Sequence, residues 1–220
     1  MPASQIAAST RRSRFDAAFA ALPLVAILRG VKPEEAEGIA VALYNAGFRI
    51  IEVPLNSPEP LKSIAAMRAV LPQDAIVGAG TVMRESDVDA LAAIGADLVV
   101  MPHADTAIVS ASVRAGLVCA PGVMTPTEAF AALDAGAAAL KLFPAELITP
   151  AAVRALMAVM PPGTRLLPVG GITPVTMKPY LAAGAAGFGI GSAVYKPGLQ
   201  AAEVGARAAA FIAAWQARGE

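Results

Sequence analysis

Eight short segments of the chain are apolar at consecutive positions, and they recur at intervals of roughly 20 to 27 residues. A strand that is apolar on both faces is typical of a parallel sheet covered by helices. The hydrophobic pattern therefore predicts eight parallel strands, within residues 24–29, 49–55, 75–82, 98–103, 117–124, 139–145, 165–172 and 187–195.

The segments between these strands are rich in alanine and carry signals for the start of a helix. A capping residue followed by proline favours a first turn, and a glycine favours the end of a helix. Helix starts are predicted at Pro33, Ser57-Pro58, Thr125-Pro126 and Thr173-Pro174. The alternation predicts a (β/α)8 TIM barrel as a single domain over residues 1–220, with 1–21 as an N-terminal extension containing a short amphipathic helix. An open, doubly wound sheet is the alternative.

The chain of 220 residues carries 17 basic and 17 acidic side chains. Because these charges balance, no overall basic field attracts nucleic acid, and no nucleic-acid partner is expected. No run of 18 or more apolar residues is present, so no membrane-spanning segment is expected. Asp16 and Pro23 interrupt the apolar segment after the arginine pair at 11–12, which argues against an export signal and favours a cytoplasmic protein.

Cys119 and His103 are the only residues of their kinds in the chain. A single cysteine cannot form an intramolecular disulfide, and a single histidine cannot supply a histidine-rich metal centre. Cys119 lies within an apolar strand, so we expect it in the core. A metal held by His103, Asp105 and Glu52 is an alternative that we do not favour, and we expect no metal.

One lysine, Lys141, interrupts the apolar stretch AAALKLFPAE at residues 137–146. A buried ammonium is expensive unless it is paired or loses its proton, although a long side chain at a strand end can also reach solvent. Alternation along neighbouring strands offers partners on the same inner faces. The predicted inner sets are Val25, Ile27 and Arg29; Ile50, Glu52 and Pro54; Val77, Ala79 and Thr81; and Lys141 with Phe143.

Each of these polar residues has a structural alternative, such as an ion pair between Glu52 and Lys141. Together, on separate strands and near one rim of a barrel, they predict a functional site, because a buried ion pair seldom adds stability over apolar packing. The C-terminal ends of barrel strands are where such sites lie.

Glycines end the last two predicted strands, in the sequences PVGGITP and GIGSAVY. Barrels frequently bind phosphate in these two loops, because a residue without a side chain lets the anion approach the backbone N–H groups. Gly170, Gly171, Gly191 and Ser192 are therefore candidate phosphate ligands. The alternative is that the glycines only permit tight turns.

The motifs IEVPLNSP, GAGTV, ALKLFPAE, VGGITP and GSAVY, in this order and spacing, resemble the class I aldolases that cleave 2-keto-3-deoxy-6-phospho-sugar acids, the KDPG and KDPGal aldolases. The resemblance runs from about Leu22 to about Tyr195. It implies that Lys141 forms a Schiff base with the substrate, that Glu52 is the general base and acid, and that Thr81 holds the pyruvyl end. It further implies pyruvate and glyceraldehyde 3-phosphate as products, no cofactor, and a homotrimer.

Two positions depart from the KDPG aldolase pattern. Asn56 stands where those enzymes carry an arginine that contacts the substrate carboxylate, and Arg29 is the substitute cation. Val169 stands where a threonine commonly precedes the glycine pair. Both changes resemble the KDPGal branch and predict 2-dehydro-3-deoxy-6-phosphogalactonate as the preferred substrate. The gluconate epimer, a non-covalent phosphosugar isomerase or epimerase, and a catalytically silent phosphosugar-binding barrel are the alternatives.

Overall fold

The computed structural model describes residues 3–219, in which short strands alternate with helices. The strands are β1 (Leu24–Ile27), β2 (Ile50–Pro54), β3 (Ile76–Gly80), β4 (Leu98–Val100), β5 (Val118–Ala120), β6 (Gly122–Val123), β7 (Leu140–Leu142), β8 (Leu166–Pro168) and β9 (Phe188–Ile190). The helices are α1 (Ala3–Ala21), α2 (Pro33–Ala46), α3 (Pro60–Val70), α4 (Glu85–Ala93), α5 (Thr106–Arg114), α6 (Pro126–Asp134), α7 (Pro150–Met157), α8 (Met177–Ala182) and α9 (Ala201–Gln216), and a 3-10 turn follows at Ala217–Gly219.

All strand pairs are parallel, and they form two sheets with the orders β5-β4-β3-β2-β1-β9 and β6-β7-β8. Because β1 lies beside the last strand, the larger sheet curls back on itself, unlike an open doubly wound sheet. The α/β architecture with parallel strands is confirmed. A continuous eight-stranded ladder is not seen.

The ladder is interrupted at two places. Pro121 has no N–H to donate and divides the fifth predicted strand into β5 and β6, one in each sheet. Between β8 and β9 the contact is reduced to a bridge between Val169 and Gly189 and a hydrogen bond of 2.9 Å from Ala186 N–H to the Leu166 carbonyl.

The strands are apolar on both faces because each face packs against a different cluster. Val25, Ile50, Leu98, Val118 and Leu167 belong to an inner cluster. Alternate residues of the strands face the surrounding helices in two other clusters. This arrangement explains the continuous apolar runs in the sequence.

Helix α1 closes the N-terminal end of the strands. Its Phe15, Ala18 and Phe19 are buried in the inner cluster, and Arg14 binds the Asp97 carboxylate at 2.9 Å. A lead-in helix is thus present and covers one end of the inner core, but at 19 residues it is longer than the short helix predicted. Among the described residues, no helix is both long and apolar enough to cross a membrane.

Two of the four predicted helix starts are confirmed and two are wrong. Helices α2 and α6 begin at Pro33 and Pro126, and Thr125 caps α6 through a capping box. Helix α3 begins at Pro60 instead, because the Ser57 hydroxyl accepts a hydrogen bond from Gly30 N–H rather than capping a helix. After β8, Thr173 and Thr176 bond to each other in a turn, and α8 begins only at Met177.

Candidate active site

Lys141 lies in β7 and points to the inside of the curled sheet. Its neighbours Leu140 and Leu142 are fully buried on the helix side, as predicted, and Lys141 itself is 6% exposed. Its Nζ lies 4.5 Å from the centre of the Phe143 ring. The lysine is therefore held among apolar groups instead of reaching solvent.

Glu52 lies in β2 and is 1% exposed. The space for its carboxylate comes from Gly80 at the end of β3, since a Cβ at that position would overlap the carboxylate oxygens. Gly80 N–H donates a hydrogen bond to the carboxylate, while Oε2 has no hydrogen-bond partner among the described residues. An unpartnered carboxylate oxygen in an enclosed space is available to a substrate or a water.

Burial shifts the pKa values of both side chains, and the charge of each partner opposes the shift of the other. Burial raises the pKa of Glu52 to about 7, although the positive charges of Lys141 and Arg29 and the Gly80 hydrogen bond oppose the shift. Burial also lowers the pKa of Lys141; the Glu52 charge opposes this shift and the Arg29 charge adds to it. Both groups can thus exchange protons closer to neutral pH than an ordinary glutamate or lysine.

Arg29 and Asn56 lie together at the cavity rim. Arg29 Nη1 donates to Asn56 Oδ1 at 2.7 Å. The loops that carry them are joined by the hydrogen bond from Gly30 N–H to Ser57 Oγ, of 2.9 Å. Arg29 thus reaches the side chain at position 56, where KDPG aldolases are expected to carry an arginine. Its position is compatible with the prediction that Arg29 supplies the positive charge instead.

The predicted inner face of β3 is wrong. Val77 and Ala79 belong to the helix-side cluster, and Ile76 belongs to the inner one. The inward positions of β3 therefore include Gly78 and Gly80. Both are glycines because a side chain at Gly78 would collide with Leu98, and one at Gly80 would collide with Glu52. Thr81 follows the strand with φ +55°, a conformation uncommon for a residue other than glycine, and it is absent from the residues that line the cavity.

A cavity of about 570 Å³ opens above Lys141. The predicted residues Arg29, Val169, Gly170, Gly171, Gly191 and Ser192 all contribute to its wall. Gly170 and Gly171 have φ values of +117° and +62°, so the turn itself favours glycine at both positions. A smaller enclosed space of about 20 Å³ lies beneath, lined by Glu52, Lys141, Val169 and apolar residues.

Four of the further residues that line the cavity carry polar or charged side chains and were not predicted as site residues: Glu146, Tyr195, Lys196 and Arg207. Tyr195 is buried, and its hydroxyl donates to Glu35 Oε1 at 2.7 Å, which fixes the loop after β9 to α2. Glu146 follows the FPA sequence, and Lys196 follows GSAVY, so both adjoin motifs already noted. Arg207 lies within α9 and has no local sequence signal.

The alternative metal site does not form. The Asp105 carboxylate caps α5 by accepting from Ala107 N–H at 2.8 Å. No group of three or more histidine, cysteine or acidic side chains within residues 3–219 is arranged to hold a metal ion. Cys119 is in the core as expected, and burial raises the pKa of its thiol to about 12.

Known proteins are similar to this chain over most of its length. A family model described as "Aldolase: KDPG and KHG aldolase" matches residues 15–209. The chain is 46% identical to a probable 2-dehydro-3-deoxy-6-phosphogalactonate aldolase of Rhizobium meliloti (strain 1021), over 89% of this chain and 92% of the relative. It is 43% identical to the 2-dehydro-3-deoxy-6-phosphogalactonate aldolase of Escherichia coli (strain K12), over 89% and 95%.

A solved structure titled "Native KDPGal structure" superposes with a TM-score of 0.88 at 42% identity, covering 90% of this chain and 96% of the other. The residues matched by the family model, 15–209, include both sheets and the residues that line the cavity. The chain therefore belongs to the KDPG and KHG aldolase family.

Proposed function

We propose that this protein is a class I aldolase that cleaves 2-dehydro-3-deoxy-6-phospho-D-galactonate to pyruvate and D-glyceraldehyde 3-phosphate. The observation that carries the proposal is the pairing of two buried, electrostatically coupled groups below one cavity, the amine of Lys141 and the carboxylate of Glu52. A lysine with a lowered pKa and a carboxyl group with a raised pKa are what Schiff-base chemistry with proton transfer requires.

Lys141 acts as the nucleophile. Its neutral Nζ attacks the C2 ketone of the substrate, and loss of water from the carbinolamine gives an iminium ion that links Nζ to C2. Burial lowers the pKa of Lys141 and so favours the neutral amine that this attack needs. The iminium then withdraws the electrons of the C3–C4 bond, and no cofactor is needed as an electron sink.

Glu52 moves the protons. Its carboxylate takes the proton of the C4 hydroxyl, directly or through a water, as the C3–C4 bond breaks and the aldehyde product forms. The electron pair of that bond becomes the enamine, which Glu52 protonates at C3, and water then hydrolyses the imine to release pyruvate and restore Lys141. The unpartnered Oε2 and the pKa of about 7 suit a group that both accepts and donates a proton.

The two ends of the substrate are assigned to different places. We assign the carboxylate and hydroxyl end to Arg29 in the cavity wall, to Asn56, which Arg29 contacts, and to Thr81, which follows Gly80 at the end of β3 although it does not line the cavity. The phosphate end is assigned to the loops after β8 and β9, at Gly170, Gly171, Gly191 and Ser192. The position of these four residues in the cavity wall supports this assignment, because a residue with little or no side chain lets an anion approach the backbone N–H groups.

Val169 is the basis for choosing the galactonate epimer. The two candidate substrates differ only at C4, and a valine offers no hydrogen bond to a hydroxyl. Val169 lines both the open cavity and the small space beside Lys141 and Glu52, so it is near the reacting carbons. The names of the two bacterial relatives support the same choice.

We further propose that the two sheets form one closed eight-stranded barrel and that the protein is a cytoplasmic homotrimer. Closure is supported by the pairing of β1 with β9 and by the bridge from Val169 to Gly189. The trimer rests on the family resemblance, and light scattering coupled to gel filtration tests it.

The substrate assignment is tested by assaying both C4 epimers with one enzyme preparation and measuring pyruvate release. We expect the galactonate epimer to have the higher kcat/KM, with measurable activity on the gluconate epimer. A clear preference for the gluconate epimer would overturn the substrate assignment and leave the Lys141 chemistry in place.

A further inference from the structure

The cavity wall carries charged side chains besides the four residues assigned to the phosphate. Glycine loops offer backbone N–H groups but no full positive charge, whereas a phosphate monoester carries close to two negative charges near neutral pH. Lys196, Arg207 and Glu146 line the same wall as Gly170, Gly171 and Ser192. The positions of these three side chains relative to the phosphate loops determine how the two negative charges of the phosphate are balanced.

Arg207 lines the cavity from helix α9. On the same helix Gly205 lies against Ala42 of α2, so the Gly205 side of α9 is turned towards α2. Arg207 is two residues further on, about 200° around the helix, and thus on the opposite side. It is half-buried and contributes to the cavity wall together with Thr173 and Gly171.

Lys196 approaches the cavity from the loop after β9. The side chain is exposed, but the loop backbone is fixed on both sides of it: the Tyr195 hydroxyl binds Glu35, and Pro197 packs so closely on Gly30 that a Cβ there would come within 2.8 Å of it. A cation on a fixed loop can serve a bound anion with less loss of conformational entropy than one on a mobile segment.

Glu146 lies where an arriving phosphate would meet it. A Cβ at Gly170 would overlap its Oε2, so the carboxylate covers the bare backbone of the phosphate loop. The backbone on either side is held by the Tyr180 hydroxyl, which donates to the carbonyls of Ala145 and Ile148 at 2.9 and 3.0 Å. The Glu146 side chain is exposed, so it can swing into solvent while its backbone stays in place.

We propose that Arg207, assisted by Lys196, binds the phosphate of the substrate, and that Glu146 is the anionic group the phosphate displaces. The inference rests on the proposed function only in requiring that the cavity takes a phosphate ester. The two cations supply the charge that the glycine loops lack, and they offset the repulsion from Glu146 until its side chain moves away.

Direct binding tests the assignment without any chemistry on Lys141. Glycerol 3-phosphate is titrated calorimetrically into the wild type and into Arg207→Gln, Lys196→Gln and Glu146→Gln. We expect the affinity to fall about tenfold or more for Arg207→Gln, because hydrogen bonds between charged groups are the stronger ones. The fall should be smaller for Lys196→Gln, because Lys196 is exposed and solvent screens its charge. Glu146→Gln should bind about two- to fivefold more tightly, because a repulsive charge is removed.

Arg154→Gln is the matched control, because Arg154 is an exposed arginine on α7 that does not line the cavity. It should bind like the wild type. Added salt should weaken binding to the wild type, and weaken it less in Arg207→Gln. If Arg207→Gln does not fold, the exposed Lys196 and Glu146 variants, with their opposite signs, still decide the question.

The kinetic measurement compares the phosphorylated substrate with the same sugar acid lacking its phosphate. Arg207→Gln should raise KM for the phosphorylated substrate while leaving kcat/KM for the unphosphorylated one and the reductive trapping of pyruvate unchanged. Three outcomes would each overturn the assignment. Arg207→Gln could lose activity equally on both substrates, it could change the affinity for glycerol 3-phosphate by less than about twofold, or the wild type could fail to bind glycerol 3-phosphate. A wild type that binds the phosphate ester through Arg207 but neither traps pyruvate nor cleaves the sugar acid would refute the aldolase and keep this phosphate site.

Discussion

Glu52 and Asp97 are both carboxylates with about 1% exposure, yet they have different surroundings. Asp97 precedes β4, at the end that α1 covers, and it accepts from Arg14 at 2.9 Å, Arg68 at 3.1 Å and the Val77 N–H at 3.1 Å. Glu52 has the Gly80 N–H and one oxygen without a partner. A buried carboxylate with all its bonds made holds the fold together, whereas one with an open oxygen is free to react.

The same difference separates the two ends of the molecule. At the Asp97 end, guanidinium groups bind the carboxylate, and Phe15 from α1 fills the inner space. At the Glu52 end, the carboxylate and Lys141 line a small enclosed space, and a cavity of about 570 Å³ opens above Lys141. Substitutions at the two carboxylates should therefore have opposite consequences for stability and for turnover.

The largest effect is expected for Glu52→Gln. The substitution keeps the shape of the side chain and removes the proton acceptor, so kcat should fall about 10²- to 10⁴-fold, the usual range for general acid–base assistance. Pyruvate release under saturating substrate measures it. Glu37→Gln, at an exposed glutamate on α2, is the control and should retain full activity. A loss of less than about fivefold would exclude Glu52 as the essential base.

Asp97→Asn should affect stability instead. Removing one partner of a buried ion pair typically costs about 3–5 kcal/mol, because the remaining charges stay buried. Urea unfolding should show a free energy of unfolding reduced by about that amount, while kcat of the folded protein stays within about twofold. Asp74→Asn, which breaks an exposed pair with Arg49, should cost no more than about 1 kcal/mol. If Asp97→Asn lost turnover without losing stability, the division between the two ends would be wrong.

A smaller change, in specificity, is expected for Val169→Thr. The new hydroxyl can bond a substrate hydroxyl on its side, and such a bond is worth about 1–3 kcal/mol. The ratio of kcat/KM for the two epimers should shift towards gluconate by roughly 5- to 150-fold, with pyruvate trapping unchanged. Val169→Ala controls for the loss of valine packing, and an equal shift in both variants would refute the role of the hydroxyl.

The pH dependence gives the smallest effect. The pKa of Glu52 is raised to about 7, so kcat/KM should fall about tenfold per pH unit below that value as the base becomes protonated. The raised pKa also means that the stability contributed by neutral Glu52 is present at low pH and is lost as pH rises from about 4.5 to about 7. Glu52→Gln should lack this loss of stability, and a wild-type curve identical to that of the variant would contradict the assignment.

Much of the fold can be predicted from the sequence because its signals are local. All eight apolar runs contain strands, since a strand buried on both faces needs consecutive apolar residues. The start of α8 at Met177 depends on how the loop after β8 folds, and a capping residue followed by proline does not report that.

Some residues of the candidate site can likewise be predicted from the sequence, and others cannot. Lys141 and Glu52 stand out because a charge within an apolar strand is conspicuous in any sequence. The prediction that Thr81 lies on the inner face is wrong because β3 consists mostly of glycine and alanine, whose side chains show little alternation between the two faces of a strand. Arg207 reaches the cavity from a helix of ordinary composition, so only the packing of α9 against α2 reveals it.

The most direct test of the account is reductive trapping of pyruvate. Incubation of the wild type with pyruvate and borohydride should add one pyruvate-derived mass per chain, located on Lys141 by peptide mass spectrometry, while the exposed Lys178 stays unmodified. Lys141→Arg should show no addition and no turnover. If Lys141 remained unmodified in protein that still cleaves its substrate, the Schiff-base mechanism, and with it the central claim, would be contradicted.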